Sequence, residues 1–408
     1  MRFCLLSLSL ALSACSTVVG QLDSGSPGGG GGGAATGGGA ATGGGGGGGG
    51  FTSDGGPSNA PTWRRGLAKW QWVEIPNSSL SQRSVTNPFN AMQESPSGRI
   101  NAWNGLAANR DTSRLYLAAA GGHADWAGNE VYEIDLSLDT PSWRILRGPS
   151  PGNTITFGAN YCTDGRPAST HLYYALTFVR SQHRIFKLSA GSVWGSGNES
   201  NSNVDGFDLN TGDWDAMGTW DAGSPHGDAI DRPYAHDPLT DDAYTFFSGA
   251  FRKWTSSVGT WTSLAARPSY ANNDIVQASP AAVDTQRGRV LFTRNAYKVA
   301  MNQGLLLTNT GTLTDVTFTG ADVAAVTARQ GGMHYLAAED TFLLKTDTSG
   351  EMYRIDATTF AVTTQPTTGP RPPDAVNGVY TRFQYLPLLG GYAYLPSSAS
   401  NFWFLATQ

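Results

Sequence analysis

The sequence predicts an all-β protein, a six-bladed β-propeller closed by its own N-terminal strand, and three observations lead there. Glycine and proline account for 52 and 21 of the 408 residues, tryptophan and tyrosine for 12 and 15, and only 14% of residues are charged. Such a composition favours short strands joined by tight turns over helices. From Trp70 onward a unit of about 50 residues or more recurs, each with four short strands, and a period in that range marks a propeller. The last unit is one strand short, and the stretch that opens the body can supply it.

The first unit shows the pattern best. Ile100 to Ala107 (INAWNGLA) reads as its inner strand and Arg114 to Ala120 (RLYLAAA) as its second, closed by Gly121 and Gly122. After a polar loop, Glu130 to Leu136 (EVYEIDL) alternates as a half-buried strand does, and Trp143 opens an outer strand to Leu146. A few strands with open edges are marginal in water, so recurrence decides the fold. The second unit has Thr170 to Val179, Arg184 to Leu188, Val204 to Leu209 and Trp214 to Met217. The third has Arg232 to Pro238, then AYTFFSGA, FRKWTS and TWTSL, with Trp261 in its outer strand. The fourth uses SPAAVDT, Arg289 to Asn295, LLLTNT and TDVTF, and the fifth GGMHYLAAE, TFLLKTD, EMYRID and AVTTQ. The sixth has Val379 to Pro387, YAYLPS and NFWFLAT, and its missing strand is Trp70 to Pro76 (WQWVEIP). Closing the ring in this way removes an exposed edge. A seventh blade hidden between Arg147 and Arg166 is the rival count.

GGHADWAGNEVYEIDL, Gly121 to Leu136, followed by Trp143, resembles the kelch and galactose-oxidase-like propeller repeat. In that repeat paired glycines close one strand, and an aromatic residue and a later tryptophan pack between blades. The resemblance implies a kelch-type propeller over essentially the whole body, with blades four to six further from the pattern. A galactose-oxidase-like copper site is the oxidase alternative that the resemblance raises. Such a site needs two histidines, two tyrosines, one of them crosslinked to a cysteine, and a ligand from a further C-terminal domain. Here Cys162 is adjacent to Tyr161, a poor placement for the crosslink, although Tyr173 or Tyr234 could approach it.

The N-terminus divides from the body. Met1 and Arg2 precede a short apolar run, Phe3 to Leu12, which has the length of a secretory signal and not of a membrane span. Leu12 to Cys15 (LSAC) resembles the bacterial lipobox, which implies a signal peptide over 1–14 and acylation of Cys15. Ser16 after it, in place of an aspartate, points by analogy to the outer membrane or cell surface. Residues 15–59 follow as the lipidated end and a flexible linker. Ser24 to Gly50 holds 18 glycines, and a linker of that kind spans roughly 30 Å. The propeller is expected over 60–408, facing away from the cytoplasm and monomeric.

The function classes narrow from there. A formal net charge of −5 offers no basic field for nucleic acid. Cys162 is the only cysteine in the body, which excludes an internal disulfide and a thiolate metal cluster. No G-x-S-x-G elbow and no sialidase-type repeat is present. Long loops on a rigid scaffold are where binding usually sits. In a four-stranded meander the second-to-third loops share one face with the blade-to-blade connections. On that face the sequence places His123, Asp125, Trp126 and Asn129, then Trp194, Asn198 and Glu199, with Trp126 and Trp194 as platforms for sugar rings.

Arginines sit before prolines at blade entries: Arg166, Arg232, Arg267 and Arg371, with Arg99 lacking the proline. Around a channel mouth they would bind carboxylates in bidentate fashion; the alternative is pairing with aspartates such as Asp164 and Asp231. His171, His236 and His334 fall in predicted inner strands. Pro225 to Asp237 is rich in metal-ligand types, with His226, Asp228, Asp231 and Asp237, but its spacing matches no zinc motif. No metal and no cofactor is expected. The expected ligand is an anionic glycan or an acidic protein segment, on His123, Asp125, Trp126, Asn129, Arg166, His171, Trp194, Arg232, His236 and Arg371. The alternatives are a carbohydrate-active enzyme on that face, with a His and carboxylate pair as acid and base, and a protein-interaction scaffold.

Overall fold

The computed structural model describes residues 60–83, 85–86, 88, 95–196, 203–220, 232–247, 250–266, 279–293, 302–327, 330–347 and 350–408. Six four-stranded antiparallel sheets form the body, together with one two-stranded ribbon. In blade one the strands are Ala107–Asn109, Arg114–Ala118, Val131–Asp135 and Arg144–Arg147. Five blades run in chain order from inner to outer strand. The sixth takes its outer strand from the start of the body: Trp72–Ile75 pairs antiparallel with Phe402–Ala406, in the register Trp72 to Leu405 and Ile75 to Phe402. The ring is therefore closed by hydrogen bonds between the first and last strands, and the fold is an all-β six-bladed propeller. No seventh blade lies between Arg147 and Arg166, where the one regular element is a single turn of 3-10 helix, Gly152–Thr154.

Side chains that alternate along each strand meet those of the next blade, so the core lies in the spaces between sheets. Tyr116 of blade one stacks on Phe178 of blade two at 5.7 Å. Phe186 of blade two meets Trp254 of blade three at 4.8 Å, and Phe251 meets Phe292 of blade four at 5.3 Å. The closing seam is braced from below. Trp63 packs on Phe404 at 5.2 Å, and the fully buried Arg64 donates to the carbonyls of Leu389 and Gln408.

Each turn from inner to second strand carries one residue in the left-handed region: Ser113, His183, Asp241, Gly288, Asp340 and Gly390. Only two of the six are glycine. In Asp241 and Asp340 the side chain also serves as an acid partner for an arginine of the preceding blade: Arg180 to Asp241 at 2.9 Å, and Arg287 to Asp340 at 2.6 Å.

Three inner strands differ from the sequence expectation; in blade six Tyr380–Arg382 is a 3-10 turn, so the inner strand begins at Phe383 and not at Val379. Gly98–Asn101 is a helical turn, so the inner strand of blade one begins at Ala107. In blade two, Thr170–His171 leaves the sheet and pairs with Gly191–Val193 as the two-stranded ribbon, and the inner strand is only Leu176–Val179. Tyr173 lies between the two pieces at φ +51°, where the chain bends.

Candidate ligand site in the central channel

The six inner strands surround a central channel with a cavity of about 90 Å³ that opens to solvent. Small side chains make the room: Ala107 and Ala108 in blade one, Ala281 and Ala282 in blade four. At the end where the inner strands begin, the buried rings of Tyr174 and Tyr380 meet edge to face at 5.0 Å, and the Tyr174 hydroxyl donates to Gly331 O at 2.8 Å. The other end, at the inner-to-second turns, carries Arg110, Arg180, Asp237 and Asp241. This mouth is on the face opposite the one chosen from sequence.

Arg110 follows the last residue of its inner strand. Arg180 holds the equivalent place in blade two, where Asp241 of the next blade takes both its Nε and its backbone N–H. The turn residue that would answer Arg110 is His183, which is not an acid. Accordingly the Arg110 Nε is buried with no hydrogen-bond partner among the described residues. Burial lowers its pKa, opposed by the charges of Asp241, Tyr392 and Asp237. A guanidinium held in such a place favours an anion over water.

Two histidines share the channel with it. His236 Nε2 donates to Tyr174 O at 2.8 Å, and His334 Nε2 donates to Phe383 O at 2.7 Å. Carbonyls only accept, so both rings carry the proton on Nε2 and leave Nδ1 as an acceptor. The Nδ1 of His236 is buried with no partner among the described residues. Burial, aided by the Arg110 charge, pulls the pKa of His236 down to about 4 and that of His334 to about 3, so both are neutral at pH 7. Gln384 spends its amide N–H groups on Leu106 O and Thr381 O. Phe178, Tyr335, Phe383 and Tyr385 supply flat apolar walls.

Of the residues singled out in the sequence, the channel holds His236 and, beyond the ligand set, Tyr234, His334 and Asp237. On the opposite face His123, Asp125 and His171 do come together. His171 Nε2 donates to Asp125 Oδ2 at 3.0 Å, its Nδ1 lies 3.2 Å from the Tyr173 hydroxyl, and the His123 ring is 6.3 Å away. The ribbon that carries His171 also holds His123, whose Nδ1 is 2.7 Å from Ser196 O.

The remaining assignments are corrected. Trp126 is fully buried, its indole N–H donating to Glu130 Oε2 at 3.0 Å, and it cannot be a platform. Trp194 is buried with Ala127, Ile155 and Cys162; the exposed aromatic beside it is Phe157. Asn129 is fully buried and ties the Ser150 N–H and hydroxyl to Pro167 O. Arg166 is taken by Asp164, 2.7 Å away, and by Gly148 O. Arg232 is buried against the Tyr234 hydroxyl. Arg371 is exposed, packs along Gly350, and is not among the channel residues. Asn198, Glu199, His226, Asp228, Asp231, Arg267 and Cys15 lie outside the described residues. The Cys162 thiol is 3.8 Å from the Asn129 amide, and burial pushes its pKa up. Among the described residues no group of three His, Cys, Asp or Glu could hold a metal. The sequence search missed Arg110; the available signal was an arginine just past the end of an inner strand with no acid at the matching turn of the next blade.

The closed ring, its loops and its channel define a six-bladed propeller, a rigid scaffold suited to binding or interaction. No protein-family model matches the chain, and no curated protein does. Among solved structures it is similar to a structural-genomics protein of unknown function from Bacteroides thetaiotaomicron. That match has 12% identity over 82% of this chain and 75% of that one, with a TM-score of 0.46. It is also similar to a chain of a mitotic checkpoint complex, at 13% identity over 79% of this chain and 95% of that one, TM-score 0.44. Neither likeness carries an argument about function.

Proposed function

We propose that this protein is a kelch-like binding module, tethered outside the cytoplasm through an acylated Cys15, that holds an anionic glycan by a carboxylate in its central channel. The observation that carries this reading is Arg110, an enclosed guanidinium without an acid partner among the described residues. Asp237 at the mouth, where Asp241 is already paired with Arg180, repels a segment bearing many negative charges, which favours a glycan over an acidic protein segment. Aromatic walls fit the apolar faces of sugar rings. The body begins on the same side as the mouth: Trp63 Nε1 donates to Leu138 O, and Arg64 holds Leu389 O next to an inner-to-second turn.

The test is titration calorimetry of the chain from Ser16 onward against anionic and neutral glycans. Anionic ones are expected to bind, and Arg110→Gln to weaken them about 10- to 100-fold, the range of a charged hydrogen bond. Arg166→Ala and Arg371→Ala are expected to change nothing. No binding by any anionic glycan, or binding indifferent to Arg110→Gln, refutes the reading.

A second reading has one observation in its favour, the Asp125 and His171 pair with Tyr173 on the opposite face. A histidine oriented by a carboxylate is the arrangement of a general base, which suits a carbohydrate-active enzyme. Chromatography of glycans incubated with the protein decides it: turnover abolished by His171→Asn supports this reading, and unchanged glycans remove it.

A further inference from the structure

The channel combines three features that together define which part of a ligand enters it. We infer that it reads the end of an acidic sugar chain, a terminal hydroxy acid of uronate type whose carboxylate meets Arg110 and whose hydroxyls donate hydrogen bonds to His236 and His334. The inference rests on the channel-binding reading above and adds which part of the chain is read and its chemistry.

The first feature is closure. Tyr174 and Tyr380 are 2% and 1% exposed where the inner strands begin. Behind them Gly332 has room for no side chain, since a Cβ there would lie 2.8 Å from Tyr380 O. A chain cannot thread between them, so only an end is admitted.

The second is hydrogen-bond polarity. Arg110 can only donate, and its Nε, without a partner among the described residues, calls for an acceptor. His236 and His334 have committed their N–H groups to Tyr174 O and Phe383 O, so their Nδ1 atoms can only accept. A simple carboxylate satisfies the arginine and leaves the Nδ1 of His236 unpaired. A dicarboxylate brings a second acceptor against those lone pairs. A hydroxy acid answers both kinds of group, and an unpaired buried group is where discrimination between ligands is largest.

The third is charge. Arg110 and Arg180 face Asp237 and Asp241, and Arg180 is already bonded to Asp241. One negative charge fits beside Arg110, while a row of them meets the acids at the mouth.

The experiment is a titration series on the chain from Ser16 onward with glucuronate, glucose, acetate and glutarate, and with two oligosaccharides, one ending in a uronate and one carrying it internally. Glucuronate and the uronate-ended oligosaccharide are expected to bind at least about 10-fold more tightly than acetate, glutarate or glucose, and the internal uronate not to bind. Arg110→Gln is expected to weaken this binding about 10- to 100-fold. His236→Phe is expected to bring glucuronate down to the level of acetate while leaving acetate unchanged, and His334→Gln repeats the comparison in case the first variant does not fold. If acetate and glutarate match glucuronate and all depend on Arg110, or if the internal uronate binds equally, this inference falls and anion binding in the channel stands. If no anion binds in an Arg110-dependent way, both fall.

Discussion

Acidification should weaken this propeller from its centre, and the two channel histidines set the size of the effect. In the folded state His236 titrates near 4 and His334 near 3, whereas an unfolded chain returns both to about 6.5. A depressed histidine pKa means that the unfolded state binds protons first. The neutral rings therefore add their full stability above pH 6.5, and it is lost as pH falls from 6.5 towards 4 for His236 and towards 3 for His334. At pH 4 the linkage amounts to about 3 kcal/mol for each ring, an upper bound because channel water screens the charge. The perturbation is the pair His236→Gln and His334→Gln, which keeps an N–H for each carbonyl and removes the titration. The assay is urea unfolding at pH 7 and pH 4. Wild type minus variant should fall by several kcal/mol between the two, so that the variant, less stable at pH 7, loses less on acidification. A difference that is the same at both pH values refutes the account of these rings as neutral, enclosed groups.

Two further outcomes follow from single contacts. Gly122→Ala would place a Cβ 2.3 Å from Ser192 O at φ +77°, and should cost about 2–4 kcal/mol in urea unfolding while distorting the ribbon that carries His171. Arg166→Ala removes a surface ion pair with Asp164 and should shift stability by no more than about 1 kcal/mol.

The strands of blades three, four and five were legible because each face alternates and each turn falls between apolar runs. The closing strand was legible for a different reason: the sixth blade came out one strand short, and Trp70 to Pro76 had the right pattern to fill it. Thr170 to Val179 misled because ten residues of strand-like character hide a bend at Tyr173. Nothing local marks that bend, and its cause is pairing with Gly191–Val193 some twenty residues on. Trp126 and Trp194 were read as exposed because they sit between strands, yet each indole found a buried place, one on Glu130 and the other among Ala127, Ile155 and Cys162.

The arginines show the limit most clearly. Arg166 and Arg232 drew attention through the proline that follows each, a local feature that says how the chain enters a blade and nothing about which partner the guanidinium meets. Arg110 carries no such mark. Its importance comes from what is missing next to it, since Arg180 has Asp241 and Arg110 has only His183 at the matching turn.

By itself the sequence determined the ring: the period of the strands, the number of blades and the strand that closes it all follow from alternation and turn spacing along the chain. Only the tertiary structure decided which face opens and which charges stay uncompensated. Those depend on side chains from six blades meeting at one axis, and such meetings join residues more than two hundred positions apart.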